Sequence, residues 1–231
     1  MNKVAKINDL VASTDQLPSH LKAVEGVGRG NEDVGMNVQI PRISLLQTMS
    51  PEVDKNHVNF IEGAEPGLLL NKLSGELSKE IYVLSLQFKV EFVAWKKREA
   101  GGGFKGNFPT REAAEASLKE QDEKLEQYDI TENHAHLLIV KNPTTGALDL
   151  APCIMDFASS KIRVSKSWNS QIALKGGDRF ASLWKIGGIA TQNKQGQTFH
   201  NLDVSFVGWA QEEDYKAAEK MFEAYQNVQT S

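Results

Sequence analysis

Apolar and polar positions alternate most persistently between Glu80 and Lys97. Tyr82, Leu84, Leu86, Phe88, Val90, Phe92 and Ala94 take one side of a period-two pattern; Val83, Ser85, Gln87, Lys89, Glu91, Val93 and Trp95 take the other. A pattern of that length predicts one long strand, bent across a barrel. Gly101-Gly102-Gly103 ends it. The period then changes: Arg111 to Tyr128, entered through Pro109-Thr110, carries a narrow apolar stripe at Ala114, Leu118, Leu125 and Tyr128 and predicts a charged helix. A hairpin follows, His136 to Lys141 and Leu148 to Phe157 around Asn142-Pro143-Thr144-Thr145-Gly146. Ser159-Ser160 can cap a helix running to Leu174 and stopped by Gly176-Gly177. A second hairpin pairs Phe180 to Gln192 with Thr198 to Trp209, and an acidic helix from Glu212 to Tyr225 keeps Tyr215, Ala218, Met221, Phe222 and Tyr225 on one face.

These elements predict a mainly β protein with helices (α+β). Five strands with a helix between the third and fourth is the order of an OB-like barrel, a partly open Greek key used for oligonucleotides and oligosaccharides. Here one further helix is inserted after the first strand and one is appended at the C-terminus. Gly26, Gly28, Gly30 and Gly35, interspersed with Asn31, Glu32 and Asp33, mark residues 1–39 as a flexible arm. The OB-like nucleic-acid-binding domain is expected over 40–210 and the acidic helix over 211–231.

Composition narrows the class. With 40 % hydrophobic and 24 % charged residues the chain is expected to fold around a core. No apolar run approaches the roughly 20 residues of a membrane span. Met1 to Lys6 has a basic end without an apolar h-region behind it, which predicts no secretory signal. Cys153 is the single cysteine, so an intramolecular disulfide is excluded and a cytoplasmic setting expected. The net charge of −4 lacks the strongly basic signature of a duplex-DNA binder, but the charges are segregated. Residues 158–194 hold seven Lys/Arg and one acid, and residues 86–110 five and two. Residues 111–133 hold eight acids and three bases, and residues 211–231 five acids and two lysines.

The first basic segment interleaves rings and cations: Phe88, Lys89, Phe92, Trp95, Lys96, Lys97 and Arg98, then Phe104, Lys105 and Phe108 in a glycine-rich loop. Single-stranded nucleic acid takes such surfaces, because rings stack on bases and cations neutralise phosphates. Phe88 and Phe92, on the side of Leu84 and Leu86, read as core. Lys89, Trp95, Lys97, Arg98, Phe104, Lys105 and Phe108 are the binding candidates, with core packing of the three rings as the alternative. In the second segment Val164, Trp168 and Ile172 form an apolar stripe on a helix, so Trp168 can be core or a stacking platform. Lys161, Arg163 and Lys166 beside it, and Lys175, Arg179 and Lys185 beyond, are candidate phosphate contacts; a solvated face is the alternative.

The remaining chemistry is sparse. Gly101 to Gly106 lacks the Gly-Lys-Ser/Thr ending of a P-loop, and the dinucleotide fingerprint is missing. His134 and His136 face one side of a strand without completing a metal set, and read as surface histidines. No enzyme activity, cofactor or metal is expected. The acidic C-terminal helix reads as a packed helix or as a docking element for a replication or transcription partner.

Ile40-Pro41-Arg42-Ile43-Ser44-Leu45-Leu46-Gln47 with Ser50-Pro51-Glu52-Val53, and Lys161-Ile162-Arg163-Val164-Ser165-Lys166-Ser167-Trp168-Asn169-Ser170, resemble segments of small bacteriophage proteins associated with DNA replication and middle transcription. The likeness spans about Ile40 to Trp209. It implies a phage single-stranded-DNA-binding protein that can also recruit an RNA polymerase or replication proteins, with Arg42, Lys161, Arg163, Lys166, Trp168 and Asn169 carried over. The chain lacks the long all-acidic tail of better-known single-strand binders. A homo-oligomer, or a virion or scaffolding component whose basic strips are subunit contacts, is the reading from another class.

Overall fold

The long alternating segment is strand β4 (Glu80–Lys96), and the rest of the sheet is organised around it. The computed structural model describes residues 39–149 and 151–225. The predicted arm therefore lies outside the described residues apart from Gln39, as does the end of the predicted acidic helix beyond Tyr225. Among the described residues one sheet holds nine strands. The others are β1 (Arg42–Leu45), β2 (Leu69–Asn71), β3 (Leu77–Ser78), β5 (Gly103–Phe108), β6 (Tyr128–Lys141), β7 (Cys153–Ala158), β8 (Ser182–Gln192) and β9 (Thr198–Trp209). Their order is β3-β2-β1-β7-β6-β4-β8-β9, with β5 also pairing β4. Only β1 and β7 run parallel. Helices α1 (Arg111–Glu120), α2 (Lys161–Lys175) and α3 (Glu212–Tyr225) complete a mainly β, α+β fold whose sheet curls into a half-barrel. No described helix is long and apolar enough to cross a membrane.

The two sheet faces bury different side chains. Val83, Leu138, Met155, Phe157, Trp184, Ile186 and Leu202 form the main core on the inner face, where α2 adds Trp168 and Ile172. Leu84, Leu86, Leu137, Ile139 and Ile154 form a second core on the outer face under Tyr215, Ala218, Met221 and Phe222 of α3. Across the barrel seam Gln47 Nε2 donates to the His200 carbonyl at 2.9 Å, and its Oε1 accepts from the His200 N–H at 3.1 Å. One side chain thus ties the end of β1 to β9.

A bulge changes the predicted facing of β4. Its register on β6 passes from Ser85↔Leu138 to Gln87↔Leu137, leaving Leu86 as the extra residue. An extra residue reverses the in-and-out alternation beyond it. Leu84 and Leu86 stay under α3, whereas Phe88 turns to the inner face against the rings of His134 and His136, 5.1 and 5.0 Å away between centroids. Phe88 therefore does not share a face with Leu84, as strict period two would have it.

Other boundaries shift for local reasons. Strands β1, β2, β3 and β5 are short or glycine-rich and give too few alternations to register. The predicted helix over 111–128 ends at Glu120; Leu125 to Gln127 is a 3₁₀ turn and Tyr128 already opens β6. Leu118, Leu125 and Tyr128 nevertheless meet in one cluster with Ala94 and Phe108, and Ala114 is buried as well. Thr110 caps α1, its Oγ1 accepting from the Ala113 N–H at 3.1 Å. Ser160 makes no such cap bond on α2.

Candidate nucleic-acid interface

The residues after β4 are a strand, β5, folded back onto it, and not a loop. Arg98 to Ala100 form a tight 3₁₀ turn closed by Gly101 at φ 107°, a conformation that favours glycine. The return places Phe104 opposite Trp95. Their rings meet edge to face with centroids 5.4 Å apart, and they remain 49 % (Trp95) and 56 % (Phe104) exposed. Two large rings half in water at a hairpin tip are an exception to ordinary burial. Arg98 is exposed on the turn, and Lys97 Nζ lies 4.0 Å from Asp129.

Two candidates of this segment serve other purposes. Phe108 is half-buried in the cluster of Ala94, Leu118 and Tyr128, so it packs the hairpin onto α1 instead of offering a stacking face. A bulge between Ala94 and Trp95 redirects Lys105, whose Nζ bonds Glu123 Oε1 at 2.7 Å. Hydrogen bonds from Lys105, then Tyr128 and Lys96, hold the Glu123 carboxyl down at about 2. Lys105 is thus neutralised within the chain.

The outer sheet face beside this hairpin carries a polar array. Asp156 accepts from Arg42 NH1 at 2.5 Å and from Asn133 Nδ2 at 2.7 Å, and Asn107 donates to Glu91 at 3.2 Å. Glu91 is buried, and burial followed by the nearby Asp156 raises its carboxyl pKa. Lys89 is half-buried on the same face. Sequence reasoning missed Asn107, Asn133 and Asp156. Between Tyr128 and Asn133 polar residues occupy both parities, so no period-two signal announces the strand that displays them.

The second basic segment is divided. Trp168 is 0 % exposed and stacks on the His136 ring, centroids 4.5 Å apart and planes 14° from parallel. It is core, which removes it from the binding candidates. Arg163 and Lys166 are exposed on α2, with Lys166 Nζ 3.9 Å from Glu132. Lys161 is half-buried and its ammonium pKa is lowered by burial. Lys175 Nζ sits 3.5 Å over the Phe206 ring, and Lys185 Nζ lies 3.4 Å from Glu80. Because α2 packs on the inner face while Trp95 and Phe104 share the outer face with Lys89, Arg163 and Lys166 lie apart from the hairpin tip, whereas Lys161 lies close enough to Asp156 of the polar array to feel its charge.

Arg179 is also internal. Its Nε donates to Ser85 Oγ at 2.8 Å and its NH2 to Asn169 Oδ1 at 2.6 Å and His136 Nδ1 at 3.1 Å. Burial lowers its pKa to about 10, so it stays charged at neutral pH but is spent inside the fold. A guanidinium only donates. His136 must therefore accept at Nδ1 and donate from Nε2 to Ser165 Oγ, 2.7 Å away. Ser165 then donates to His134 Nδ1 at 2.8 Å, and His134 Nε2 donates to Glu132 Oε1 at 2.9 Å. A one-directional chain of hydrogen bonds joins a cation to a carboxylate. His134 and His136 are thus buried members of that chain, not surface histidines: the inner face supplies the partners their neighbours in sequence do not.

This chain predicts acid sensitivity. Burial, then the charge of Arg179, holds the His136 pKa well below its ordinary 6.5. A lowered folded value means the contribution is intact above about pH 6.5 and lost as pH falls below it, because the unfolded chain takes up a proton the folded one refuses. Stability should fall by up to about 1.4 kcal/mol per pH unit from this group. Urea unfolding at about pH 7.5 and 5.5 should show a larger loss in the wild type than in His136→Gln. Equal losses would place the acid sensitivity elsewhere.

No match was found among curated proteins or among solved structures. A family model described as Pam3 phage gp34-like protein matches residues 11–231, almost the full length, and the chain belongs to that bacteriophage family.

Proposed function

We propose that the protein binds single-stranded DNA, without turnover and with low sequence specificity, through the β4–β5 hairpin tip and the outer face beside it. The observation that carries this reading is the Trp95–Phe104 pair, half exposed and adjoining Lys97 and Arg98. Rings at that exposure can each take a base, and neither residue is needed to fill the core. The connectivity supports it. On this reading strands β4, β6 and β7, helix α2, then β8 and β9 are the five strands and the helix of an OB-type barrel, with β1 set beside β7. The hairpin then belongs to the connection between the first and second barrel strands, and β6–β7 supply the second and third. Oligonucleotides use that loop and that face in OB folds. Recruitment of an RNA polymerase or of replication proteins is a further part of this proposal.

The test is fluorescence anisotropy with labelled oligo-dT, duplex DNA and RNA at several salt concentrations. Oligo-dT should bind more tightly than duplex; equal or tighter duplex binding overturns the proposal. The salt dependence locates the site. Lys97→Ala with Arg98→Ala should flatten the slope of log K against log salt by about 0.7 for each phosphate that is no longer neutralised. Arg163→Ala with Lys166→Ala, on the other side of the sheet, should leave that slope unchanged. The reverse result would move the binding surface to α2.

A second reading rests on a different patch. Val207 and Trp209 on β9 are 49 and 59 % exposed, on the terminal strand of the sheet. Such a patch suits a contact between subunits, as in a scaffolding component. Sedimentation of wild type and Trp209→Lys distinguishes it: a self-associating species lost in the variant would favour this reading.

A further inference from the structure

The two exposed rings of the β4–β5 hairpin are each followed by a lysine, Trp95 by Lys96 and Phe104 by Lys105. In the pairing of β4 with β6, Trp95 stands opposite Asp129 and Lys96 opposite Tyr128. Lys96 and Tyr128 therefore share the face away from Trp95. Both ammoniums lie beside the Tyr128 ring, with Nζ 5.5 Å (Lys96) and 6.0 Å (Lys105) from its centre. That ring packs with Ala94 and Leu118. The proposed stacking surface uses none of these groups.

Glu123, on the turn after α1, sits between the two cations. Lys96 Nζ donates to one of its carboxylate oxygens at 3.1 Å and Lys105 Nζ to the other at 2.7 Å. The Tyr128 hydroxyl is enclosed beside them. It helps to lower the Glu123 pKa, yet falls short of a full hydrogen bond with any group among the described residues. With that pKa at about 2 the carboxylate stays ionised at neutral pH, so an anion occupies the site throughout. Three donors thus converge on a group with only two acceptor oxygens. A phosphate is tetrahedral and offers more, and its oxygens accept from lysine and tyrosine donors alike.

We propose, resting on the DNA-binding reading, that Glu123 holds the place of a phosphate: a phosphate group of the bound strand displaces the carboxylate and is taken by Lys96, Lys105 and Tyr128. Rotation of the Glu123 side chain suffices, and its N–H can keep its bond to the Leu118 carbonyl, 3.0 Å away. The side chains of Lys96, Lys105 and Glu123 are 24, 29 and 20 % exposed, and ion pairs open to water add little stability, so the carboxylate leaves at small cost. Lys105 is itself on β5, so a strand stacked on Trp95 and Phe104 reaches the site by passing round that side of the hairpin. The two lysines then serve the strand only once Glu123 has left, and the chain binds less tightly than its cations would allow. A phosphate within the strand and one at its end offer the same chemistry here.

The experiment compares the full chain with Glu123→Gln, which keeps the shape of the side chain and removes its charge. Anisotropy with 3′-labelled oligo-dT should show at least fivefold tighter binding for the variant at low salt. The slope of log K against log salt should steepen by about 0.7, because the site brings one more net positive charge to the strand. Glu126→Gln removes an exposed carboxylate from the same segment and should change affinity less than twofold. Adding Lys105→Gln to Glu123→Gln should abolish the gain. A preference of at least fivefold for 5′-phosphorylated over 5′-hydroxyl oligo-dT assigns the site to a terminal phosphate; equal binding of the two assigns it to one within the strand. Equal gains from Glu123→Gln and Glu126→Gln would make the effect one of net charge and overturn the proposal, as would a gain that survives Lys105→Gln. A wild type that binds oligo-dT and a Glu123→Gln chain that binds it no better would overturn the phosphate site and leave the DNA-binding reading standing. Oligo-dT bound by neither chain would overturn both.

Discussion

Trp95→Ala combined with Phe104→Ala is expected to weaken binding to oligo-dT by about 30-fold or more. Base stacking on an aromatic side chain contributes roughly 1–3 kcal/mol per base, and removing two platforms at the lower limit gives about 2 kcal/mol. The rings touch each other, so the single variants should each lose part of the shared surface, and their effects need not add. Stacking releases few counterions, and the slope against salt should stay close to that of the wild type. Both rings are about half in water, so the variant should unfold within about 1 kcal/mol of the wild type. Phe108→Ala is the contrasting substitution: it removes a ring from the cluster under α1 and should cost stability first. A folded double variant that binds oligo-dT like the wild type removes the hairpin from the binding surface and the proposed function with it.

Trp168→Ala should destabilise the fold by roughly 3–5 kcal/mol, the range for truncating a large buried ring. The side chain is fully enclosed, flat against His136 and in edge contact with Trp184, whose centroid is 6.0 Å away. Its removal leaves a void beside the Arg179–His136–Ser165 hydrogen bonds, and the Arg179 guanidinium loses the indole it lies over, 5.8 Å from the ring centre. Trp168→Phe keeps a ring in the same place and should cost clearly less. Urea unfolding reads both, and oligo-dT binding by the folded fraction should be unchanged. A Trp168→Ala chain of wild-type stability that has lost DNA binding would reverse the assignment and make this indole part of the binding surface after all.

The two tryptophans show what could be read from the chain and what could not. Trp95 was marked by parity: it falls opposite Phe92 and Ala94, beside Lys97, and the structure leaves it exposed, although the bulge at Leu86 puts it on the same outer face as Leu84 and Leu86. Trp168 was marked in two incompatible ways, by a stripe at helical spacing and by the cations around it. Only the packing of α2 against the sheet decides for the core. The cations were legible as a cluster in sequence but not as a surface in space. Nearest neighbours along a helix say nothing about which side of a distant sheet the helix covers.

The chain by itself determined the long central strand, both later hairpins, α2 and α3. Each is a local run in which period, turn residues and length agree, and local energetics suffice to specify it. It also determined the two basic segments and the candidate rings. The tertiary structure decided the rest: β5, the early start of β6, the bulge at Leu86 that turns Phe88 inward, and the separation of α2 from the hairpin tip. It also decided the burial of His134 and His136, whose partners Ser165 and Arg179 lie 29 to 43 positions away in sequence. The physical reason is common to these features. Pairing register, bulges and buried hydrogen-bond chains are set by partners remote in sequence, and a strand with polar residues on both faces acquires its sides only when a neighbour covers one of them.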